Sequence, residues 1–192
     1  MLTKSKKRYW VAMFSRTGYE LSQIIKKVEV IPDKIILNKS TDSLSTVCSE
    51  IKNLIDQHST ESLFTSKNPD IDTYRNMFLN DSDKPLIVTL HGWMKIIPPE
   101  ICNEYEIYNG HPGLITKYPE LKGKDPQNRA FSLKHDEIGT VIHKVTPEVD
   151  SGEILGIASI DNTYKTEEAL SDTIREMSIL LWSDFLREKL YD

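Results

Sequence analysis

The most constraining feature of this sequence is the alternation, through its first half, of short apolar runs with longer segments of helical periodicity. Such alternation is typical of a mostly parallel β-sheet whose connecting helices pack on both faces. The run Pro85–Leu90 is almost continuously apolar, as expected of a central strand that is buried on both sides. We therefore predict an α/β fold, with strands at Tyr9–Phe14, Lys34–Leu37, Ser62–Thr65 and Pro85–Leu90 and helices at Tyr19–Val28, Leu44–Ile55 and Asp70–Leu79.

The second half of the chain changes character after Pro98 and Pro99. A short strand is predicted at Glu106–Tyr108, and an irregular stretch rich in Gly, Pro and Lys follows from Asn109 to Asp125. Loops of this length in a compact domain are usually functional or mobile. The remaining predicted elements are a helix at Pro126–Leu133, strands at Gly139–Val145 and Glu153–Ser159, and a final helix with Thr166 as its N-cap.

Composition narrows the class of protein. The length of 192 residues and the apolar content of 39% predict one globular domain spanning residues 1–192. The formal net charge of −5 leaves no basic surplus, which argues against a nucleic-acid partner. No apolar run approaches the roughly 20 residues of a membrane-spanning helix, so no membrane partner is expected. Only Cys48 and Cys102 occur, without CxxC spacing, which predicts a cytoplasmic location; nothing in the sequence indicates an oligomeric state.

Three polar residues are candidates for chemistry. Asn109 and His111 follow a predicted strand, and residues two apart in an extended chain face the same side, so an amide and an imidazole would share one space. The alternative is a simple turn in which His111 only packs. Asp150 lies at a predicted tight turn between two strands, which by itself is an ordinary hairpin. The five histidines show no HExxH or related ligand spacing, so a metal-free site is predicted.

Taken in order, these segments resemble the folate-dependent formyltransferase family, which carries an Asn-x-His after a strand and a Val-Asp-x-Gly-x-Ile turn downstream. The resemblance spans roughly residues 10–154, with Val141 standing where the family has Thr. The segments that match are Leu90–Ile97, Asn109–His111, His111–Ile115, Gly123–Pro126, Gly139–His143 and Val149–Ile154.

The resemblance implies a Rossmann-like formyltransferase fold and transfer of a formyl group from 10-formyltetrahydrofolate to an amine, without a metal. Such a transfer passes through a tetrahedral species with an oxyanion and a proton that must move. In this interpretation Asn109 donates to the oxyanion, and His111 stabilises charge and shuttles the proton. Asp150 orients His111 and helps, through water, to take the proton from the attacking amine.

The same resemblance implies the binding residues. The folate is expected to lie against residues 93–97, which follow the fourth predicted strand, and against Val149. Composition alone would instead make Trp93 and Met94 core residues. For Arg16 and Lys67, simple surface positions are the alternative. The expected folate-binding residues are Trp93, Met94, Lys95, Ile96, Ile97 and Val149, and the expected substrate-binding residues are Ser15, Arg16, Thr17, Gly18 and Lys67.

The sequence leaves the chemical identity of the amine acceptor open. A phosphate of the acceptor would lie at the start of the helix after Gly18, with Arg16 contributing a charged hydrogen bond. The glycine-rich loop of the glycinamide ribonucleotide enzymes is missing here, and Glu20 stands where they carry Asn. We therefore expect glycinamide ribonucleotide to be a poor substrate and the acceptor to be a small, phosphorylated or nucleotide-linked amine. The alternatives are a formyltetrahydrofolate hydrolase, with water as acceptor, and a non-catalytic folate- or nucleotide-binding homologue.

Overall fold

The computed structural model describes residues 6–38, 45–58, 61–65 and 68–192, and these residues form seven strands and six α-helices. The strands are β1 (Tyr9–Phe14), β2 (Lys34–Leu37), β3 (Glu61–Phe64), β4 (Leu86–Leu90), β5 (Ile107–His111), β6 (Glu137–Lys144) and β7 (Ile154–Asp161). The helices are α1 (Tyr19–Val28), α2 (Ser49–His58), α3 (Ile71–Met77), α4 (Pro99–Glu104), α5 (Pro126–Ser132) and α6 (Glu167–Lys189).

All seven strands belong to one sheet, in the order β3-β2-β1-β4-β5-β6-β7. The strands β1 to β5 run parallel to one another, whereas β6 and β7 pair antiparallel with their neighbours. The predicted mostly parallel sheet is therefore confirmed. The chain crosses the sheet in one direction from β1 to β3 and in the other from β4 onward, and ligands of open α/β sheets bind at the carboxyl ends of strands beside such a reversal.

Helices cover both faces of this sheet, as predicted. The helices α1, α2 and α6 pack on one face, where Trp10, Phe14 and Trp182 are fully buried. The helices α3 and α4 pack on the other face, around Met13 and Tyr74. Because side chains alternate between the two faces of a strand, neighbouring residues of β1 enter different cores.

The first half of the chain agrees closely with its predicted elements. The strands β1 and β2 and the helix α1 begin and end at the predicted residues. The helix α2 begins at Ser49 rather than at Leu44, which lies outside the described residues. The residue before it, Cys48, donates its backbone N–H to Thr17 O at 2.8 Å, which ties the approach to α2 to the loop after β1.

The second half of the chain differs from its predicted elements most in the extent of β5 and in one additional helix. The strand β5 continues to His111, because Asn109 and His111 pair with His143 and Val141 of β6; the predicted irregular stretch therefore begins later. The helix α4, with Pro99 at its start, was not predicted, since six residues carry too short a periodic pattern.

The final helix α6 begins as predicted. The side-chain oxygen of Thr166 accepts a hydrogen bond from Ala169 N at 3.2 Å, and Glu167 and Glu168 occupy the first turn, where their charge suits the helix dipole. Its buried face includes Ile174, which packs over β6. Within the described part of the chain, no helix combines the length and apolarity that crossing a membrane requires.

Candidate active site

A cavity of about 360 Å³ opens at the carboxyl ends of β4 and β5, beside the reversal in strand order. Its wall is formed by the loops after β1 and β4, the end of β5, the loop before α5, and the connection between β6 and β7. The site residues expected from the sequence that line it are Arg16, Trp93, Met94, Lys95, Ile96, Ile97, Asn109, His111, Val149 and Asp150.

The strand β5 positions Asn109 and His111 on the same side of the sheet. Gly110, between them, faces the opposite side, where the indole of Trp182 from α6 lies against it. A Cβ added at Gly110 would lie 2.3 Å from Trp182 Nε1, so this close approach requires glycine. The packing of α6 against β5 therefore restricts the position of the strand segment that carries both polar side chains.

Asp150 lies against both His111 and His143. Its Oδ2 is 3.2 Å from His111 Nδ1 and accepts a hydrogen bond from Gly123 N at 2.8 Å, while its Oδ1 is 3.3 Å from His143 Nε2. As predicted, Asp150 lies in a turn between two strands, within the connection 145–153 that joins the antiparallel pair β6 and β7. Its φ of 49° is a left-handed conformation, which Asp adopts more readily than most side chains and which places the carboxylate inside the site.

The surroundings of Asp150 keep its carboxylate ionised. Burial by itself would raise the pKa of Asp150, but the contacts with His143 and His111 and the N–H of Gly123 together hold it below its ordinary value. A carboxylate that lies between two imidazoles and accepts a hydrogen bond from a backbone amide also has a restricted orientation.

The protonation state of His111 follows from its partners. Burial lowers its pKa, and the adjacent Asp150 carboxylate only partly opposes this, so the imidazole is neutral near pH 7. Its Nε2 lies 2.9 Å from Leu121 O. Leu121 O and the Asp150 carboxylate can both only accept, so the single proton of the neutral imidazole serves one of them. A second proton taken up by the ring would be stabilised by the other acceptor.

His143 connects the other two polar residues. Its Nδ1 donates to Lys144 O at 3.0 Å, which leaves Nε2 to accept a hydrogen bond from Asn109 Nδ2 at 3.2 Å. The same Nε2 lies beside Asp150 Oδ1. The contact of His143 with both Asn109 and Asp150 gives it a bridging role that depends on the pairing of β5 with β6.

The segment after β4 forms an apolar wall of the cavity. Trp93 is buried and donates its Nε1–H to Tyr74 Oη at 3.2 Å, so it is a core residue as well as a wall residue. Met94 and Ile96 are 49% and 72% exposed, which leaves apolar surface available to a flat ring. Val149, 49% exposed, also lines the cavity, from the connection between β6 and β7.

The loop after β1 contributes less to the cavity than the sequence predicts. Arg16 lines it, whereas Ser15, Thr17 and Gly18 do not. The hydroxyl of Ser15 instead accepts a hydrogen bond from Met94 N at 2.9 Å and so fastens the apolar wall. Gly18 has a φ of +75° at the start of α1. Lys67, also expected to bind substrate, lies outside the described residues.

Several cavity residues had not been singled out from the sequence. The backbone of Gly123 holds Asp150, and the carbonyl of Leu121 holds His111. Lys124 and Gln127 add polar groups to the wall. The segment Gly123–Pro126 had been recognised only as a motif, and nothing local to it shows that its backbone would hold Asp150, 27 residues further along the chain. Among the described residues, no three His, Cys, Asp or Glu side chains form a group able to hold a metal ion.

One family model and two related bacterial proteins that match this chain are all described as formyltransferases. A family model described as formyl transferase matches residues 26–181. The phosphoribosylglycinamide formyltransferase of Escherichia coli K12 is 31% identical over 100 residues, which are 50% of this chain and 46% of that protein. The corresponding Haemophilus influenzae protein is 37% identical over 71 residues, which are 36% of this chain and 32% of that protein. The matched region thus spans less than half the length of these relatives.

Solved structures share the fold over nearly the whole chain. A phosphoribosylglycinamide formyltransferase from Anaplasma phagocytophilum has a TM-score of 0.79 at 20% identity, covering 95% of this chain and 86% of that one. The Streptococcus pneumoniae enzyme of the same name has a TM-score of 0.76 at 20% identity, covering 96% and 99%. A formyltetrahydrofolate deformylase from Pseudomonas syringae has a TM-score of 0.77 at 22% identity, covering 97% of this chain and 62% of that one.

Proposed function

The chain belongs to the formyl transferase family, and we propose that it transfers a formyl group from 10-formyltetrahydrofolate to the amine of a small substrate. The observation that carries this proposal is the joint placement of Asn109, His111 and Asp150 on one cavity. An amide donor, a neutral imidazole and an oriented carboxylate are the groups that acyl transfer to an amine needs.

Asn109 supplies the donor for the developing oxyanion. Its amide has two N–H bonds, and one of them is used by His143. The other is available to a formyl oxygen in the cavity, where a donor fixed by the strand needs no reorganisation as charge develops. The bond with His143 holds the amide plane in place, so His143 acts as a positioning residue.

His111 and Asp150 are proposed to accept the proton of the attacking amine. The neutral His111 has one proton and two acceptors, Asp150 Oδ2 at 3.2 Å from Nδ1 and Leu121 O at 2.9 Å from Nε2, so its ring can take up one more proton. When the amine attacks and becomes cationic, its proton is accepted at this pair, directly or through one water molecule. The imidazolium that forms is stabilised by Asp150 on one side and by the Leu121 carbonyl on the other.

The apolar wall is proposed to hold the folate. A pterin ring is flat and carries polar edges, and it fits between apolar side chains with a few polar groups at its rim. The residues proposed for this contact are Trp93, Met94, Lys95, Ile96, Ile97 and Val149.

The acceptor is proposed to approach from the loop after β1, where Arg16 lines the cavity and Ser15, Thr17 and Gly18 belong to the same loop. Lys67, which follows β3 in the sequence, stays a proposed substrate-binding residue outside the described part of the chain. The curated relatives are named for phosphoribosylglycinamide, yet this loop keeps only Gly18 as a glycine. We therefore propose a small, phosphorylated or nucleotide-linked amine as substrate and expect poor use of glycinamide ribonucleotide itself.

An acceptor screen tests the proposed function. Purified protein is incubated with 10-formyltetrahydrofolate and, separately, amino-sugar nucleotides, aminated nucleotides and glycinamide ribonucleotide, and formylated product is measured by mass spectrometry. At least one amine is expected to be formylated at a rate that saturates with both substrates. Binding of the folate without turnover on any amine or on water would contradict the proposal and favour a non-catalytic homologue.

A hydrolase is the second candidate, because a formyltetrahydrofolate deformylase shares this fold. The same three residues would act with water in place of the amine. Formate release in the absence of any amine, at a rate unchanged by added amines, would identify the hydrolase. Formyl transfer that outpaces formate release identifies the transferase.

A further inference from the structure

The loop before α5, which forms one wall of the cavity, is held by an arginine of that helix. Arg129 donates from its guanidinium to three consecutive carbonyl groups, those of Glu120, Leu121 and Lys122. The bonds from its Nη2 measure 3.1 Å to Leu121 O and 2.8 Å to Lys122 O. Its Nε is buried, so the guanidinium is enclosed on one side rather than extended into solvent.

The local structure explains why an arginine fits here. The one-turn 3-10 helix Pro119–Leu121 ends at these carbonyls, and the last carbonyls of a helix have no partner within it. A planar guanidinium offers five N–H groups in a fixed fork, which suits several acceptors side by side. The residue after Arg129, Ala130, is buried together with Leu121 and with Val141 of β6. The loop and α5 are therefore joined to each other and anchored on the sheet.

Two backbone groups of this loop contact the two side chains proposed to move the proton. Leu121 O, which accepts from Arg129, also lies 2.9 Å from His111 Nε2. A carbonyl oxygen has two lone pairs, so it can serve both partners at once. Two residues further on, Gly123 N donates to Asp150 Oδ2 at 2.8 Å. Arg129 does not itself line the cavity.

The charge of Arg129 acts on the same imidazole. Burial is the largest cause of the lowered pKa of His111, and His143 and the Arg129 cation lower it further. Asp150 and the Leu121 carbonyl oppose this lowering. A cation that shares a carbonyl with the ring therefore favours the neutral imidazole, which is the form that can take up a proton.

We propose that Arg129 is a positioning residue of the site, which fixes the His111 ring relative to the Asp150 carboxylate through the backbone of residues 120–123. Its effect on rate rests on the proposed formyl transfer, whereas its effect on the imidazole can be measured without turnover. Because Arg129 lies outside the cavity wall, its loss should change kcat rather than KM. An arginine that only capped the turn would stabilise the fold and leave kcat of the folded enzyme unchanged.

Three variants test this role. Arg129→Gln removes the cation and most of the donors, and Arg129→Lys keeps the charge but donates from a single nitrogen. The control is Arg175→Gln, at an exposed position of α6 where the guanidinium pairs with Asp172. For each protein, kcat and both KM values are measured, and folding is verified by circular dichroism. The pKa of His111 is measured by NMR of the labelled imidazole in the substrate-free protein, with its signal identified by its loss in His111→Ala.

In Arg129→Gln, kcat is expected to fall about 10- to 100-fold with KM values within about twofold of the wild type, and in Arg129→Lys by a smaller factor. The pKa of His111 should rise by at least about 0.5 in Arg129→Gln, because a neighbouring cation is lost and water reaches the ring. The weakened contact with Leu121 O opposes this rise, but the Asp150 carboxylate remains beside Nδ1. Arg175→Gln should match the wild type in kcat and in the pKa of His111.

A wild-type kcat, a loss confined to KM, or a pKa of His111 that stays the same or falls in folded Arg129→Gln would overturn the positioning role. Where Arg129→Gln does not fold, Arg129→Lys decides: a wild-type kcat would show that the bonds to three carbonyls are not needed. Absence of formyl transfer by the wild type would refute the proposed function alone, because the pKa of His111 is measured without substrate and still tests the effect of Arg129 on the ring.

Discussion

At the scale of single residues, His111 and Asp150 act as a unit for the proton. His111→Ala and Asp150→Ala are each expected to lower the rate of formyl transfer by at least about a hundredfold, because general acid-base groups typically contribute roughly 10² to 10⁴. Steady-state rates with saturating folate, together with circular dichroism to verify folding, provide the measurement. Asp184→Ala, at an exposed position of α6, is the control and should retain the wild-type rate. Wild-type turnover in either folded site variant would refute the assignment.

Asn109 has a different expected signature, because an oxyanion donor acts mainly in the transition state. Asn109→Ala should lower kcat by about 10² to 10³ with little change in KM for either substrate. Initial rates over a grid of both substrate concentrations separate the two constants. An increase confined to KM, with kcat intact, is the outcome that would assign Asn109 to ground-state binding instead.

At the scale of elements, the contact between β5 and α6 controls the catalytic geometry. Gly110→Ala adds a Cβ 2.3 Å from Trp182 Nε1, so β5 and α6 must move apart. We expect the free energy of unfolding to fall by about 1–3 kcal/mol, as for other overpacked cores, and the rate of formyl transfer to fall with it. Urea denaturation measures the first effect.

A second variant separates this contact from a general effect of alanine at that position. Gly110→Ala combined with Trp182→Leu removes much of the ring that the new methyl group would meet. Its destabilisation should be smaller than the sum of the two single effects, because the two residues are in contact. Simple additivity would show that the contact does not limit substitution at Gly110.

At the scale of the whole molecule, the buried His91 links stability to pH. Burial lowers its pKa to about 3, whereas an unfolded chain titrates near its ordinary value of about 6.5. Between these values the unfolded state binds a proton that the folded state does not. The free energy of unfolding should therefore decrease as pH falls from about 6.5 toward 3, by at most about 1.4 kcal/mol per pH unit from this group.

The measurement is urea denaturation of the wild type and of His91→Asn at several pH values from 7 to 4. The variant keeps the other titrating groups, so its free energy of unfolding should decline less steeply with falling pH, whatever its stability at pH 7. Parallel curves for the two proteins would mean that the pKa of His91 is the same in the folded and the unfolded protein, which would contradict the lowering by burial.

The alternation of apolar runs and helical segments determined most of the architecture. The boundaries of β1, α1 and β2 and the N-cap Thr166 were predicted correctly, because apolar periodicity and caps are properties of neighbouring residues. Strand alternation likewise predicted that Asn109 and His111 face one side, the resemblance to the formyltransferases added Asp150, and the three residues line one cavity. For two residues at alternate positions of one strand, local sequence is sufficient to predict a shared side; the catalytic roles stay a prediction.

Only the tertiary structure decided how these residues meet. The extension of β5 depends on its pairing with β6, and the place of His143 between Asn109 and Asp150 follows from that register. The hydrogen bond from Gly123 N to the Asp150 carboxylate and the contact between Glu20 and His91 each join segments far apart in the chain. Local patterns carry no information on such contacts, because their free energy comes from packing and hydrogen bonds that exist only once the sheet has assembled.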